Sequence, residues 1–389
     1  MRKLQRYRYS VKKFLRFITN MLLNSAQSYI LNFFQFTEIH NDLGASSTSI
    51  KRRRTQIIKK AITPDAEKKL ANEVEWIREF SKGEAREFLP VVKDFNLEPG
   101  NTYYTMTYYN MPNFRKIIFN NMSTFYFLEK RVDFLLRLQT EVFHSAYPSI
   151  KPESDYFKKV FEKKFHDRIE KGCQIEPSIC ELINTDSIKI NKKWLIGCKP
   201  LFSAIAADEA IKASLTPEKL CISHGDLHSN NILCGIPVYH VKLLDCRGKN
   251  SDGSNYFDPA YDVGKLYHDF HGLYSLIEKH MFTISTDGKD SINYNFNMHK
   301  SVVTFGKLYN YTRKQVEVKY SQYGDVNYRA DFTEAMLYLT MIVFHFSNFN
   351  EGLLCLTRGI EFLNNWAEKY HPEFYAAQQE RILGSEAKK

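Results

Sequence analysis

The stretch His224–Asn231, HGDLHSNN, decides how this chain of 389 residues is read. An apolar run follows it and ends at Asp245, in LLDCRG. Asp226 and Asn231 stand five residues apart, and Asp245 comes nineteen residues after Asp226. Val241–Leu244 reads as a mostly buried strand that delivers Asp245 to one end. Ile232 and Leu233 read as the strand before it, with a short turn around Gly235 and Pro237. A lone His-x-Asp is noise, and a buried His is usually a satisfied core residue. This stretch has a turn-forming Gly, two His, two Asn, an Asp and then a second Asp at the end of an apolar run.

Those residue types suit phosphoryl transfer, where a protein mostly positions the reactants and neutralises charge. A free carboxylate beside the nucleophile must accept a hydrogen bond from the attacking hydroxyl, and Asp226 fits that role. Magnesium prefers hard oxygen donors and takes few of them from protein. Asn231 offers an amide oxygen and Asp245 a carboxylate oxygen, on segments that can meet across a hairpin. The order His-x-Asp-x-x-x-x-Asn and then Asp is that of a kinase catalytic loop and its metal-binding turn, with His224, Asp226, Asn231 and Asp245 in the four places.

HGDLHSNNIL resembles the HGDLHxxNIL loop of the aminoglycoside phosphotransferase and choline kinase family. DPAYDVGKLYH, Asp258–His268, is similar to the segment that follows the metal-binding Asp in those small-molecule kinases. The run through LLDCRG, DPAYDVGKLYH and HGLYSLI resembles most the members found in bacterial capsule and surface-polysaccharide loci. The specific motifs span about residues 221–275, with weaker similarity over about 38–370. The resemblance implies an α+β, two-lobed, protein-kinase-like fold with a small antiparallel-sheet N-lobe and a larger, mainly helical C-lobe. It implies ATP and Mg2+ as cofactors and a small-molecule hydroxyl as acceptor. It also makes Asp262 the residue that braces the catalytic loop; the alternative is an N-cap, since VGKLYHDF looks helical from the next residue.

Upstream, the order agrees. Phe36–His40 alternates, LGASSTS follows, then a basic run, then TQIIKKAI. This reads as strand, small-residue loop, strand, tight basic turn, strand. The loop would cover the ATP phosphates through backbone amides, with Gly44, Ser46, Ser47 and Thr48 as candidates. No GxGxxG is present, and an ordinary hairpin turn is the alternative. The third strand should carry the phosphate-binding Lys. Alternation sends Lys59 and Lys60 to opposite faces, and the family form, apolar-apolar-Lys, favours Lys59. Its partner should be a Glu on the helix expected over 65–80, where Leu70, Val74 and Ile77 have helical spacing. Glu73 resembles the family's helical Glu, and Glu75 should point to solvent. TYYTMTYYNMP, Thr102–Pro112, reads as the last N-lobe strand entering the hinge, with Met106 at the back of the nucleotide pocket and Tyr108 to Met111 along it.

The expected organisation is a basic extension over 1–35, an N-lobe over 36–112, a C-lobe over 113–375 and a polar tail over 376–389. Ser123–Phe143 reads as an amphipathic helix with Phe127, Val132, Leu135 and Leu138 inward. Phe332–Phe346 and 350–369 read as further helices, and Asp155–Ser214 as an insertion that should help form the acceptor pocket. Seven Cys at scattered positions, none in a C-x-x-C pair, argue against a disulfide framework or a zinc site. Free thiols fit a reducing cytosol, and a cytoplasmic location is the expectation.

The net charge is +10, but residues 1–37 hold seven Lys or Arg and no acid, which leaves +3 for the rest. The body is nearly balanced, so no nucleic-acid partner is expected. In the arm, Leu4, Tyr7, Val11, Phe14 and Ile18 recur at helical spacing between basic residues. Two readings stay open: a peripheral membrane contact through residues 1–17, or packing against the N-lobe with the charges in water. The apolar runs are too interrupted for a membrane span or a secretory signal.

The acceptor is a sugar or surface-polysaccharide precursor on the resemblance. Choline or ethanolamine would need an aromatic cage with acids, and an aminoglycoside a dense set of carboxylates. The acids Glu334, Glu351 and Glu361 do not form one in sequence. A nucleotide-binding pseudoenzyme is a further alternative, opposed by the joint presence of Asp226, Asn231 and Asp245. A protein kinase is opposed by the lack of HRD, Asp-Phe-Gly and Ala-Pro-Glu segments.

Overall fold

The computed structural model describes residues 37–38, 47–288, 290–297 and 299–386, with residues 37–38 and 383–386 as backbone only. The basic arm and the loop residues Gly44 and Ser46 lie outside the described residues. The chain forms two compact units. The first takes the described residues up to Pro148 together with Ile222–Asn250 and Val303–Gln315; the second takes Ser149–Cys221, Ser251–Val302 and the residues from Val316 onward. The segment His224–Asp245 thus groups with the N-terminal sheet.

That sheet has five antiparallel strands: β1 (Thr37–Glu38), β2 (Thr48–Arg53), β3 (Gln56–Ala61), β4 (Val92–Asn96) and β5 (Tyr103–Thr107). Their order is β1-β2-β3-β5-β4. Arg54, at positive φ (48°), helps turn β2 into β3. Alternation along β3 and β5 sends Ile57, Lys59, Tyr104 and Met106 to the buried face. Lys59 pairs with Ile50 on β2 and with Tyr104 on β5.

Helix α1 (Pro64–Phe80) covers this face. Thr63 caps it by accepting a hydrogen bond from the Ala66 N–H, and Pro64 opens the first turn; such a cap contributes about 1 kcal/mol. Asp65 and Glu67 in the first turn and Arg78 in the last complement the helix dipole. Leu70, Glu73, Val74, Ile77 and Phe80 make the inward stripe at three- and four-residue spacing. Leu70 and Val74 pack with Ile50, Ile57, Tyr104 and Met106, and Leu233 and Leu244 join the same cluster. Each such aliphatic chain stabilises the unit by roughly 1.5–3 kcal/mol on burial.

The helix Phe125–Arg137 continues as a π-turn over Leu138–Phe143. Leu128, Val132, Leu135 and Leu138 are buried, but Phe127 is 40% exposed. The expected inward face was rotated by one residue at its start, because 128, 132 and 135 are the positions that share a helix face. Buried Arg131 on this helix donates to the carbonyls of Gly235 and Val238, both at 3.0 Å. It thereby fixes the turn between the strands Ile232–Cys234 and Val241–Leu243, which pair antiparallel.

The second unit is mainly helical. Its helices include Lys163–Ile175, Cys198–Ala207, Ala260–Phe270, Val326–Met341 and Phe349–Tyr370. A four-stranded sheet accompanies them, in the order Phe282–Thr286, Ser291–Phe296, Ser187–Ile190, Lys193–Ile196. Phe165, Phe202, Phe332, Leu339, Ile360 and Trp366 belong to one core. The helix expected over Phe332–Phe346 begins earlier and ends at Met341, and Phe344 is exposed. Cys173 and Cys180 are bonded to each other, a pairing the scattered spacing did not suggest, while the other five thiols are free and buried. Among the described residues no helix is long and apolar enough to cross a membrane.

Candidate active site

Strand alternation and helix periodicity bring Lys59 and Glu73 together inside the first unit. The Lys59 Nζ donates to Glu73 Oε2 and to Asp245 Oδ1, both at 2.8 Å. Lys59 is 4% exposed and Glu73 1%. Burial works against the Lys59 charge, but Asp245 and then Glu73 outweigh it and hold the ammonium above its ordinary pKa. Burial likewise opposes the Asp245 carboxylate, and Lys59 keeps it below the usual range. Burial raises the pKa of Glu73, against the pull of Lys59. Lys60 faces outward and reaches Asn101 Oδ1 at 3.2 Å.

Asp245 follows the strand Val241–Leu243 at a left-handed φ of 58°. A non-Gly residue adopts this conformation at a cost, and it recurs at functional turns. The next residues dock on α1. The Cys246 Sγ lies 3.7 Å from the Glu73 carbonyl, and Lys249 lies 3.8 Å from Glu75, an exposed residue as expected.

The loop His224–Asn231 is held by its own polar groups. Gly225 takes a φ of 78°, which only Gly adopts freely. The Asp226 N–H donates to His224 Nδ1 at 3.3 Å. The Asn231 Nδ2 donates to the Asp226 carbonyl at 3.0 Å and to Asp226 Oδ2 at 3.3 Å. The Leu244 N–H reaches the Asn231 carbonyl at 2.8 Å, and the Arg247 N–H the His224 carbonyl at 2.9 Å. These two bonds tie the loop to the segment around Asp245. The Asp226 side chain keeps 24% of its surface exposed, with His228 Nε2 at 3.9 Å. His224 is fully buried, and desolvation lowers its pKa from 6.5 to about 4, so it is neutral. Its ring meets Trp76 of α1 edge-on, with centroids 6.3 Å apart.

The donor set suits a hard cation. Asn231 spends its amide nitrogen on Asp226, and among the described residues no protein hydrogen bond is recorded to its Oδ1 or to Asp245 Oδ2. No group of three His, Cys, Asp or Glu among the described residues could hold a metal by itself. Two oxygen donors plus nucleotide phosphates is the arrangement by which magnesium is usually held.

The chain is similar to solved choline kinase and aminoglycoside phosphotransferase structures. A choline/ethanolamine kinase family protein from Mesorhizobium loti aligns at 11% identity over 89% of this chain and 92% of its own, with a TM-score of 0.47. A thermostable mutant of aminoglycoside phosphotransferase APH(4)-Ia aligns at 11% identity over 88% and 99%, with a TM-score of 0.49. Choline kinase LicA from Streptococcus pneumoniae aligns at 13% identity over 88% and 98%, with a TM-score of 0.45. No family model and no curated protein matches the chain.

The remaining candidates fall in several places. Thr48 opens β2 opposite Ala61, and the Ser47 carbonyl accepts from the Ile62 N–H at 2.9 Å. Both therefore sit at the start of the strand. Met106 is buried on β5 opposite Ile57. The Tyr108 N–H reaches the Thr55 carbonyl at 2.8 Å, and the Arg52 guanidinium covers its ring at 3.6 Å. Met111 packs against the cluster under the sheet. Asp262 lies in the second unit, buried in the first turn of the helix Ala260–Phe270. It is not the N-cap: the helix starts two residues earlier, and Asp258 Oδ1 accepts from the Ala260 N–H at 2.8 Å. Asp258 also pairs with buried Arg329 at 2.7 Å. Glu334 is buried against His271 at 2.9 Å, and Glu361 bonds Arg358 at 3.1 Å.

Tyr104 is a residue of this site that the strand pattern does not distinguish from core. Its hydroxyl donates to Glu73 Oε1 at 2.8 Å. The signal was available: Tyr104 shares its strand face with Met106 and stands opposite Lys59.

Proposed function

We propose that this chain is an ATP- and Mg2+-dependent phosphotransferase acting on a hydroxyl of a small molecule, a sugar or surface-polysaccharide precursor. The observation that carries the reading is the Lys59 ammonium fixed between Glu73 and Asp245, in the unit where Asn231 holds the Asp226 carboxylate in place. The acceptor class rests on the sequence resemblance.

On this reading Lys59 meets the nucleotide phosphates, and Glu73 keeps it aimed. Asn231 and Asp245 hold the cation. Magnesium, bound with the nucleotide, supplies neutralisation of the charge on the transferring group. Asp226 accepts the hydrogen bond of the attacking hydroxyl and orients it. His224, neutral and buried, acts through its bond to the Asp226 N–H and so positions the loop without exchanging protons. The β2 start, with Ser47 and Thr48, lies nearest in sequence to the expected phosphate-covering loop. Met106, Tyr108 and Met111 are the proposed adenine-side residues, and Asp262 the proposed brace.

The test uses the full chain, Mg2+ and ATP labelled at the γ-phosphate. The acceptors are a panel of sugars and sugar phosphates, with choline, ethanolamine and aminoglycosides beside them. Label is expected in a sugar hydroxyl. Asp226→Asn should cut turnover by about 100-fold or more while Mg·ATP affinity stays within a few-fold. No transfer to any small molecule, or turnover indifferent to Asp226→Asn, defeats the proposal.

A further inference from the structure

We infer that Tyr104 is a positioning residue: its hydroxyl fixes the Glu73 carboxylate, and through it the direction of the Lys59 ammonium. The role of that direction in meeting a phosphate rests on the phosphotransferase reading; the link from Tyr104 to Glu73 to Lys59 does not.

Three observations lead there. Lys59 and Tyr104 are direct cross-strand partners on the same buried face. One carboxylate receives both donors, Tyr104 on Oε1 and Lys59 on Oε2, each at 2.8 Å. Tyr104 and Glu73 are 0% and 1% exposed, so water cannot replace a donor that is removed. The terminal torsion of a Glu side chain is broad and intrinsically unspecific. Held by Lys59 alone, the carboxylate could turn, and the ammonium could follow it toward Asp245. A second donor on the other oxygen pins the carboxylate plane. Burial raises the phenol pKa well above 10, so the hydroxyl keeps its proton.

The competing view is that Tyr104 only fills space, since it packs with Ile57, Leu70, Val74 and Met106. Phe fills nearly the same space and donates nothing, so the two views separate cleanly. The experiment compares the wild type, Tyr104→Phe, Glu73→Met and the double variant, all as full chains. Two quantities are read: Mg·ATP affinity by titration, and urea unfolding without nucleotide. Loss of a hydrogen bond to a charged group is expected to weaken Mg·ATP about tenfold and to shift the unfolding equilibrium by a similar factor. In the Glu73→Met background, which has no acceptor, Tyr104→Phe should do neither.

Equal losses in both backgrounds, or no loss in either, overturn the inference. If Glu73→Met fails to fold, Glu73→Gln takes its place. It keeps an acceptor without the charge, so Tyr104→Phe must then cost less than it does beside Glu73. A wild type that binds no Mg·ATP defeats the phosphotransferase reading instead. The unfolding comparison then decides the Tyr104 link alone, and additive effects there overturn it.

Discussion

His224 illustrates how one buried ring makes the loop sensitive to acid. Its pKa is lowered from 6.5 to about 4 by desolvation. Between those values the unfolded chain binds a proton that the folded chain does not. The stability contributed by the neutral ring is therefore complete above pH 6.5 and is lost as pH falls from 6.5 toward 4, on the order of 3 kcal/mol in all. Urea unfolding at pH 7.5 and pH 5 should show a larger loss in the wild type than in His224→Asn. Equal losses would mean the ring is not desolvated as described. At this scale much was legible in sequence. Strand alternation put Lys59 and Lys60 on opposite faces and the family form favoured Lys59; the structure puts the first inside and the second in solvent. The pattern could not show the second hydrogen bond on Glu73, because a Tyr on an apolar face reads as core until its hydroxyl is located.

At the scale of elements, the segment after Asp245 docks closely on α1. Gly248 has a φ of 75°, and a Cβ there would lie 2.5 Å from the Asn72 carbonyl oxygen, one residue before Glu73. Gly248→Ala meets both backbone strain and a clash with main chain, which has little freedom to move. The expected cost is about 2–4 kcal/mol. Gly253→Ala is the control: φ is 85° there, but nothing lies within 4 Å, so only the strain term of about 1–2 kcal/mol applies. Melting temperatures of the two variants check this, and equal shifts would remove the argument for close docking. Element type was readable from periodicity in the sheet, in α1 and in the hairpin. Phe127 was misplaced because a helix face of three or four residues is easily begun one position early, and aromatic size suggests burial that packing does not grant.

At the scale of the molecule, the charge is the feature that stands apart. Residues 1–37 carry seven of the basic groups and no acid, and all seven lie outside the described residues. On an anionic surface each charge would add about 1 kcal/mol of attraction. Deleting residues 1–17 distinguishes the two roles. A membrane contact predicts the loss of salt-sensitive sedimentation with acidic vesicles and unchanged turnover. Packing predicts no sedimentation to lose and a lower melting temperature, and that is the outcome we expect. The grouping of Ile222–Asn250 with the sheet was hidden from composition. It arises from long-range bonds such as the Leu243 N–H to the Phe88 carbonyl at 2.7 Å, and no local pattern records those.

The tether on α1 also bears on control. Tyr104 and Lys59 grip the Glu73 side chain from the sheet, while Cys246 and Gly248 lie against the helix backbone at Glu73 and Asn72. Many switchable proteins keep the working arrangement as a minority species, and a ligand's apparent affinity is then diluted by that fraction. At this helix the ion pair is assembled, with two buried donors on one carboxylate. An effector that acted by swinging α1 would first have to break the buried contacts at Glu73.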